Sequence, residues 1–156
     1  MNMNSSLSQE LAQSISQLAE SADCIGQALT RYSDRHARDL YSDTSDLKKQ
    51  ASEYYLLSAE IAATLPHSEE AVSAISALML RADRTILPEI VQQCDAVLEE
   101  YVAFRRQINA FLQENEKLLR ADSQAFSISR LHGSVREMKC RTDTFRSCLT
   151  VFVPSL

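Results

Sequence analysis

Glycine is nearly absent from this chain of 156 residues: there are two, Gly26 and Gly133, with three prolines and no tryptophan. Hairpins draw on Gly or Asn-Gly pairs for backbone that other residues avoid. Their scarcity argues against an all-β or α/β fold and for long helices with few breaks. Phosphate-cradling loops need clustered glycines whose N–H groups can approach the ligand. The two glycines here stand too far apart in sequence for either loop. No run approaches the ~20 apolar residues that a membrane-spanning helix needs. The opening residues, Met1 to Glu10, are polar and lack the apolar core of a signal peptide.

Cysteine is sparse as well. Cys24, Cys94, Cys140 and Cys148 form no closely spaced pair, so they read as reduced thiols in an intracellular, cytoplasmic protein, each a small hydrophobe. A di-iron bundle needs Glu-x-x-His pairs, and none of His36, His67 and His132 has a Glu three residues before it. His132, Cys140 and Cys148 could be drawn as a partial zinc set, and Cys94 with His67 as a nucleophile and base. Ordinary packing is the simpler account of both. The expectation is a protein that is not an enzyme and has no cofactor and no metal.

What the chain does have is apolar periodicity. Leu11, Ile15, Leu18, Ala22, Ile25, Leu29 and Tyr32 recur at alternating spacings of four and three, the seam of an amphipathic helix. Ser6 and Gln9 fit a capping box at its start. Gly26 is expected to face away from the seam. Leu40, Leu47, Tyr54 and Ile61 continue at intervals of seven, and Pro66 is expected to end that helix. Val72, Ile75, Met79, Ala82 and Ile86 mark a third helix. Ile90, Cys94, Val97, Tyr101, Phe104, Ile108 and Leu112 mark a fourth that begins at Pro88. Gly133 is expected to interrupt the chain before a last helix capped by Ser134 and Glu137. The resulting spans are about 6–39, 44–65, 67–86, 88–121 and 134–150. The fold expected is all-α, one antiparallel bundle of four to five long helices. Apolar residues off the seam (Leu56, Leu57, Val91, Leu98 and Val102) favour a bundle over a rod-like coiled coil.

Charge is unevenly spread. Residues 1–119 carry 10 basic and 18 acidic side chains, and residues 120–156 carry 6 and 3, so a basic C-terminal segment follows an acidic body. Within it, Arg130, Arg136, Lys139, Arg141 and Arg146 are the candidate contact residues. A basic amphipathic helix can dock on an acidic partner or lie on anionic lipid. Nucleic acid is not expected, because an acidic body repels phosphate and no aromatics are placed for base stacking.

Three segments carry a resemblance. They are Leu47 with Tyr54 to Leu57, then Leu87 to Leu98 (Leu-Pro-Glu-Ile-Val-Gln-Gln-Cys-Asp-Ala-Val-Leu), then Ser127 to Lys139. In this order they resemble the N-terminal helical domains of fungal STAND-type receptors, the HeLo and HeLo-like group. Cys94 with Leu98 is the most specific element. The resemblance implies a four-helix bundle that signals or induces cell death, in some members at membranes through the first helix. The usual apolar opening is replaced here by Asn2, Asn4, Ser5 and Ser6. The functional expectation is an interaction module acting on a protein partner or as a homo-oligomer, with peripheral contact to an anionic membrane as a further option. The alternative is a chaperone or complex subunit whose apolar seam is completed by another chain.

Overall fold

The computed structural model describes residues 3–36, 47–82, 88–120 and 128–152, and side chains within 9–35, 52–81, 89–114 and 133–150. Four helices account for all of it: α1 (Met3–His36), α2 (Leu47–Ala82), α3 (Pro88–Arg120) and α4 (Ile128–Phe152). No strand occurs among the described residues. Each helix packs on its chain neighbours, and α1 closes the ring against α4. Contacts across the helices fix an antiparallel order. Glu10 lies 3.9 Å from Arg81 at one end of α1 and α2, while Arg31 pairs with Glu60 near the other.

The predicted seam of α1 is core along its length. Leu11, Ile15, Leu18, Ala22, Ile25, Leu29 and Tyr32 are all buried. They meet two aromatic layers. In one, the Tyr54 ring of α2 lies 6.3 Å from Tyr32 and 5.0 Å from Phe111, and its hydroxyl is 3.3 Å from Ser134 Oγ of α4. In the other, Phe104 and Phe145 stack at 4.7 Å with Tyr101 tilted against Phe145. Ser68 donates to the Leu65 carbonyl, and its Oγ lies 3.1 Å from the Tyr101 hydroxyl. Both phenols are thus buried with a partner, which removes most of the cost of burying them.

Three sequence expectations are corrected. Pro66 does not end a helix: α2 runs through it. The proline is exposed, with Ala59, Ala63 and Glu70 on the same outer side. Its missing N–H therefore deprives a carbonyl that water can reach. Ile61 before the proline and Ser68, Ala71 and Ile75 after it are buried on one stripe, and a break would cost that packing. Gly133 likewise lies inside α4, which begins at Ile128. Ser134 is therefore not a cap, and its hydroxyl serves Tyr54 instead. Gly26 does not face away from the core. It is buried, and a Cβ there would meet the Arg146 guanidinium at 3.1 Å and Thr142 at 3.7 Å. The buried side of α1 is wider than its seam because it serves both α2 and α4. Pro88 opens α3 as expected, where its missing N–H costs little. The turn or cap expected over Ser42–Asp46 and the ambiguous cap at Asp122 and Ser123 lie outside the described residues.

These placements predict unusual substitution effects. Pro66→Ala should stabilise the protein by about 2 kcal/mol in urea denaturation, the helix-interior penalty less what the freer unfolded chain takes back. A helix already broken at Pro66 would show almost no change. Gly133→Ala should add about 1 kcal/mol, since a Cβ there meets nothing within 4 Å. Gly26→Ala should gain less, because it crowds Arg146.

Alkaline pH should unfold the bundle early. Burial, partly offset by the Ser134 bond, pushes the Tyr54 phenol up to about 12, and burial raises Tyr101 too. In the unfolded chain both ionise near 10. Their contribution is complete below pH ~10 and is lost as pH climbs toward 12. Melting temperature should fall across that window together with a rise in phenolate absorbance. Tyr54→Phe should flatten the fall.

Candidate functional site

The five predicted basic residues do not come together. Arg146 lies on the α1 side of α4, its Nε 2.7 Å from Asp23 Oδ1 and its Nη1 3.8 Å from Asp143 Oδ1. It borders a groove with Ala19, Ser147 and Thr150, where two carboxylates neutralise it. Arg141 and Arg136 border a separate open groove on the α3 side, beside Gln107, Glu137 and Cys140. Lys139 is half-buried. Arg130 belongs to α4, but its side chain lies outside the described residues. Arg136, Lys139 and Arg141 form no ion pair among the described residues. The apolar side of α4 (Val135, Met138, Phe145 and Leu149) is buried in the bundle, so the helix cannot present it to lipid while folded. Arg105 is likewise engaged, donating from Nε to Glu69 Oε1 at 2.7 Å.

The expectation of packed thiols holds for Cys94 and in part for Cys148 and is corrected for Cys24 and Cys140, which are exposed. All four cysteines are free. Cys94 is fully buried, and burial followed by the nearby Asp95 charge pushes its thiol up to about 11. His67, drawn as its partner in sequence, is exposed on α2. Burial, then the Glu100 charge, also raises Cys148. Among the described residues no group of three His, Cys, Asp or Glu side chains is placed to hold a metal. Among them too, no helix is long and apolar enough to cross a membrane.

The feature that sequence reasoning passed over is the outer side of α2. Tyr55 and Leu56 are 49% and 63% exposed. Ala59, Ala63 and Pro66 follow them outward, so a stripe without charge runs along about three turns. Its flanks are clipped by interhelical pairs: Glu60 to Arg31 of α1, and Glu69 to Arg105 of α3. A signal was present in the sequence. From Gln50 to Leu80 there is no lysine or arginine, and α2 is apolar around much of its circumference rather than along one side. Of the apolar residues off the seam, Leu56 and Val102 are exposed, whereas Leu57 is buried and Leu98 packs against the core.

No protein-family model matches the chain, and neither a curated protein nor a solved structure matches it.

Thiol reactivity should separate in the order the burial dictates. At pH 8 an aromatic disulfide reagent should titrate Cys24 and Cys140 fast and Cys148 slowly. Cys94 should react only at the rate of unfolding, since both access and thiolate are denied to it. Rapid modification of four thiols in the native protein would contradict the packing.

Proposed function

We propose that the chain is a non-enzymatic helical-bundle interaction module that engages a protein partner through the outer face of α2. The supporting observation is the exposed Tyr55 and Leu56 on a charge-free stripe with Ala59, Ala63 and Pro66. Contiguous exposed apolar surface of this kind marks interaction sites in proteins that otherwise keep such residues inside. A tyrosine at its end adds rigid contact area and a polar tip, a combination enriched where partners bind most tightly.

The α1 seam is covered by the chain's own helices. A subunit role in which another chain completes that seam therefore has less to recommend it than one that uses α2. Among the described residues, contact with an anionic membrane would rest on Arg136, Lys139 and Arg141, with Glu137 and Asp143 alongside them. The role we favour is that of a signalling or cell-death adaptor or effector in the cytoplasm. The HeLo-like resemblance supports it through helix order, and a bundle of four helices agrees with that group's architecture.

A photo-crosslinking residue at position 56, expressed in the source cells, tests the proposal. Discrete adducts should form there and not from position 20 on the outer side of α1. Adding Tyr55→Ser and Ala59→Glu should remove the adducts and change stability by no more than about 0.5 kcal/mol, as expected for exposed positions. Equal labelling at both positions, or adducts that survive those changes, would defeat the assignment.

A further inference from the structure

We propose that the occupant of the outer α2 face is a basic amphipathic helix of another protein, an inference that rests on the reading above. The face has the shape for one. Ser52 to Pro66 spans about 20 Å of helix, the length over which a partner helix of four turns would lie. Ala59 and Ala63 at its middle permit close approach of a second backbone. Tyr55 and Leu56 at one end and Pro66 at the other are the larger side chains of the stripe.

Charge selects the kind of helix. The segment from Gln50 to Leu80 carries Glu53, Glu60, Glu69 and Glu70 and no lysine or arginine. Glu70 is exposed and forms no ion pair among the described residues. Glu60 and Glu69 already carry guanidiniums from α1 and α3, so the border of the stripe is mildly acidic, with Glu70 as its exposed carboxylate without an ion pair. A partner helix with apolar residues at i, i+3, i+4 and i+7 and bases on its flanks would match both features. A second copy of the chain matches neither. Pairing α2 on α2 about a two-fold axis would bring like carboxylates together, on a chain of net charge −5. The basic helix a copy could offer, α4, exposes Arg136, Glu137, Asp143 and Thr144 but keeps its apolar side inside the bundle.

Fluorescence anisotropy on the purified full chain tests this with three labelled peptides of about 18 residues. One has leucines on one face and lysines elsewhere, one has the same composition in scrambled order, and one has glutamates in place of lysines. The leucine–lysine helix should bind at least about tenfold more tightly than either of the others. Leu56→Gln with Ala63→Gln should weaken it about tenfold, and Glu70→Lys by several-fold, as expected for an exposed interface core and a rim charge. Glu20→Lys, the same charge change on outer α1, should leave affinity within about twofold if the site is local. Equal binding of the scrambled peptide, or equal weakening by Glu20→Lys, overturns the proposal, since attraction would then be diffuse. Leu56-dependent binding of the glutamate peptide overturns the charge class but keeps α2 as a partner face. A concentration-dependent dimer abolished by Leu56→Gln instead makes the occupant a second copy. If no peptide binds, the inference fails, and crosslinking from position 56 alone decides whether α2 is a partner face.

Discussion

Tyr54 is the residue through which all four helices meet. It projects from α2, its ring lies against Tyr32 of α1 and Phe111 of α3, and its hydroxyl reaches Ser134 of α4. Apolar contacts are tolerant of sliding, because one leucine fills a gap about as well as the next. A buried phenol is not tolerant. If α4 shifts by one residue, Ser134 turns away and the largely buried hydroxyl loses its partner. The Ser68–Tyr101 contact imposes the same condition between α2 and α3. Two phenols therefore set the register that the greasy stripes alone would leave loose.

Both phenol bonds involve α2, and α2 is continuous only because the bundle holds it so. Local preference argues for a break at Pro66, at a cost of about 3 kcal/mol in a helix interior. Ile61 and Ser68 lie on opposite sides of that proline, and both are buried on the same side of the helix. The proline itself is turned outward, where water can replace the missing bond. Continuity has a consequence on the outside. Had the helix broken, Ala59 and Ala63 would belong to one element and Glu70 to another, with no common face. As one helix, α2 carries an unbroken outer stripe bounded by Glu60 and Glu70.

Legibility in the sequence followed the strength of the local signal. The α1 seam could be read residue by residue, since seven apolar positions at regular spacing have one helical solution. All-α architecture followed from the lack of glycine. Helix ends at Pro66 and Gly133 could not be read, because local propensity and tertiary packing disagree there and packing outweighs propensity. Gly26 was misplaced because periodicity reports one seam, whereas a helix flanked by two neighbours buries a wider arc. The basic residues of α4 were found as a set, but spacing along one helix cannot show that Arg146 would be drawn to Asp23 while Arg141 borders the opposite groove. Leu56 defeated the reading for a simpler reason. An apolar residue off the seam is expected inside until the neighbouring helices are seen to leave it out.

That outward leucine bears on how the surface is organised. A helix apolar on most sides is ordinarily covered on most sides, yet α2 is covered only where α1 and α3 reach it. The ion pairs Glu60–Arg31 and Glu69–Arg105 mark the limits of that coverage. Each is at least partly exposed, Glu60–Arg31 more so than Glu69–Arg105, and exposed pairs contribute little to stability. Their position matters more than their strength, because each draws its base onto the flank of α2 and leaves the middle without charge of either sign. The neighbouring helices thus hold their cations at the border of the stripe and off its middle. Glu70 remains unpaired among the described residues, beside Pro66 on the outer side. With Glu60 and Glu69 already paired, the charge left at the border of the strip is that of Glu70, and the complement of a lone carboxylate beside an apolar strip is a base.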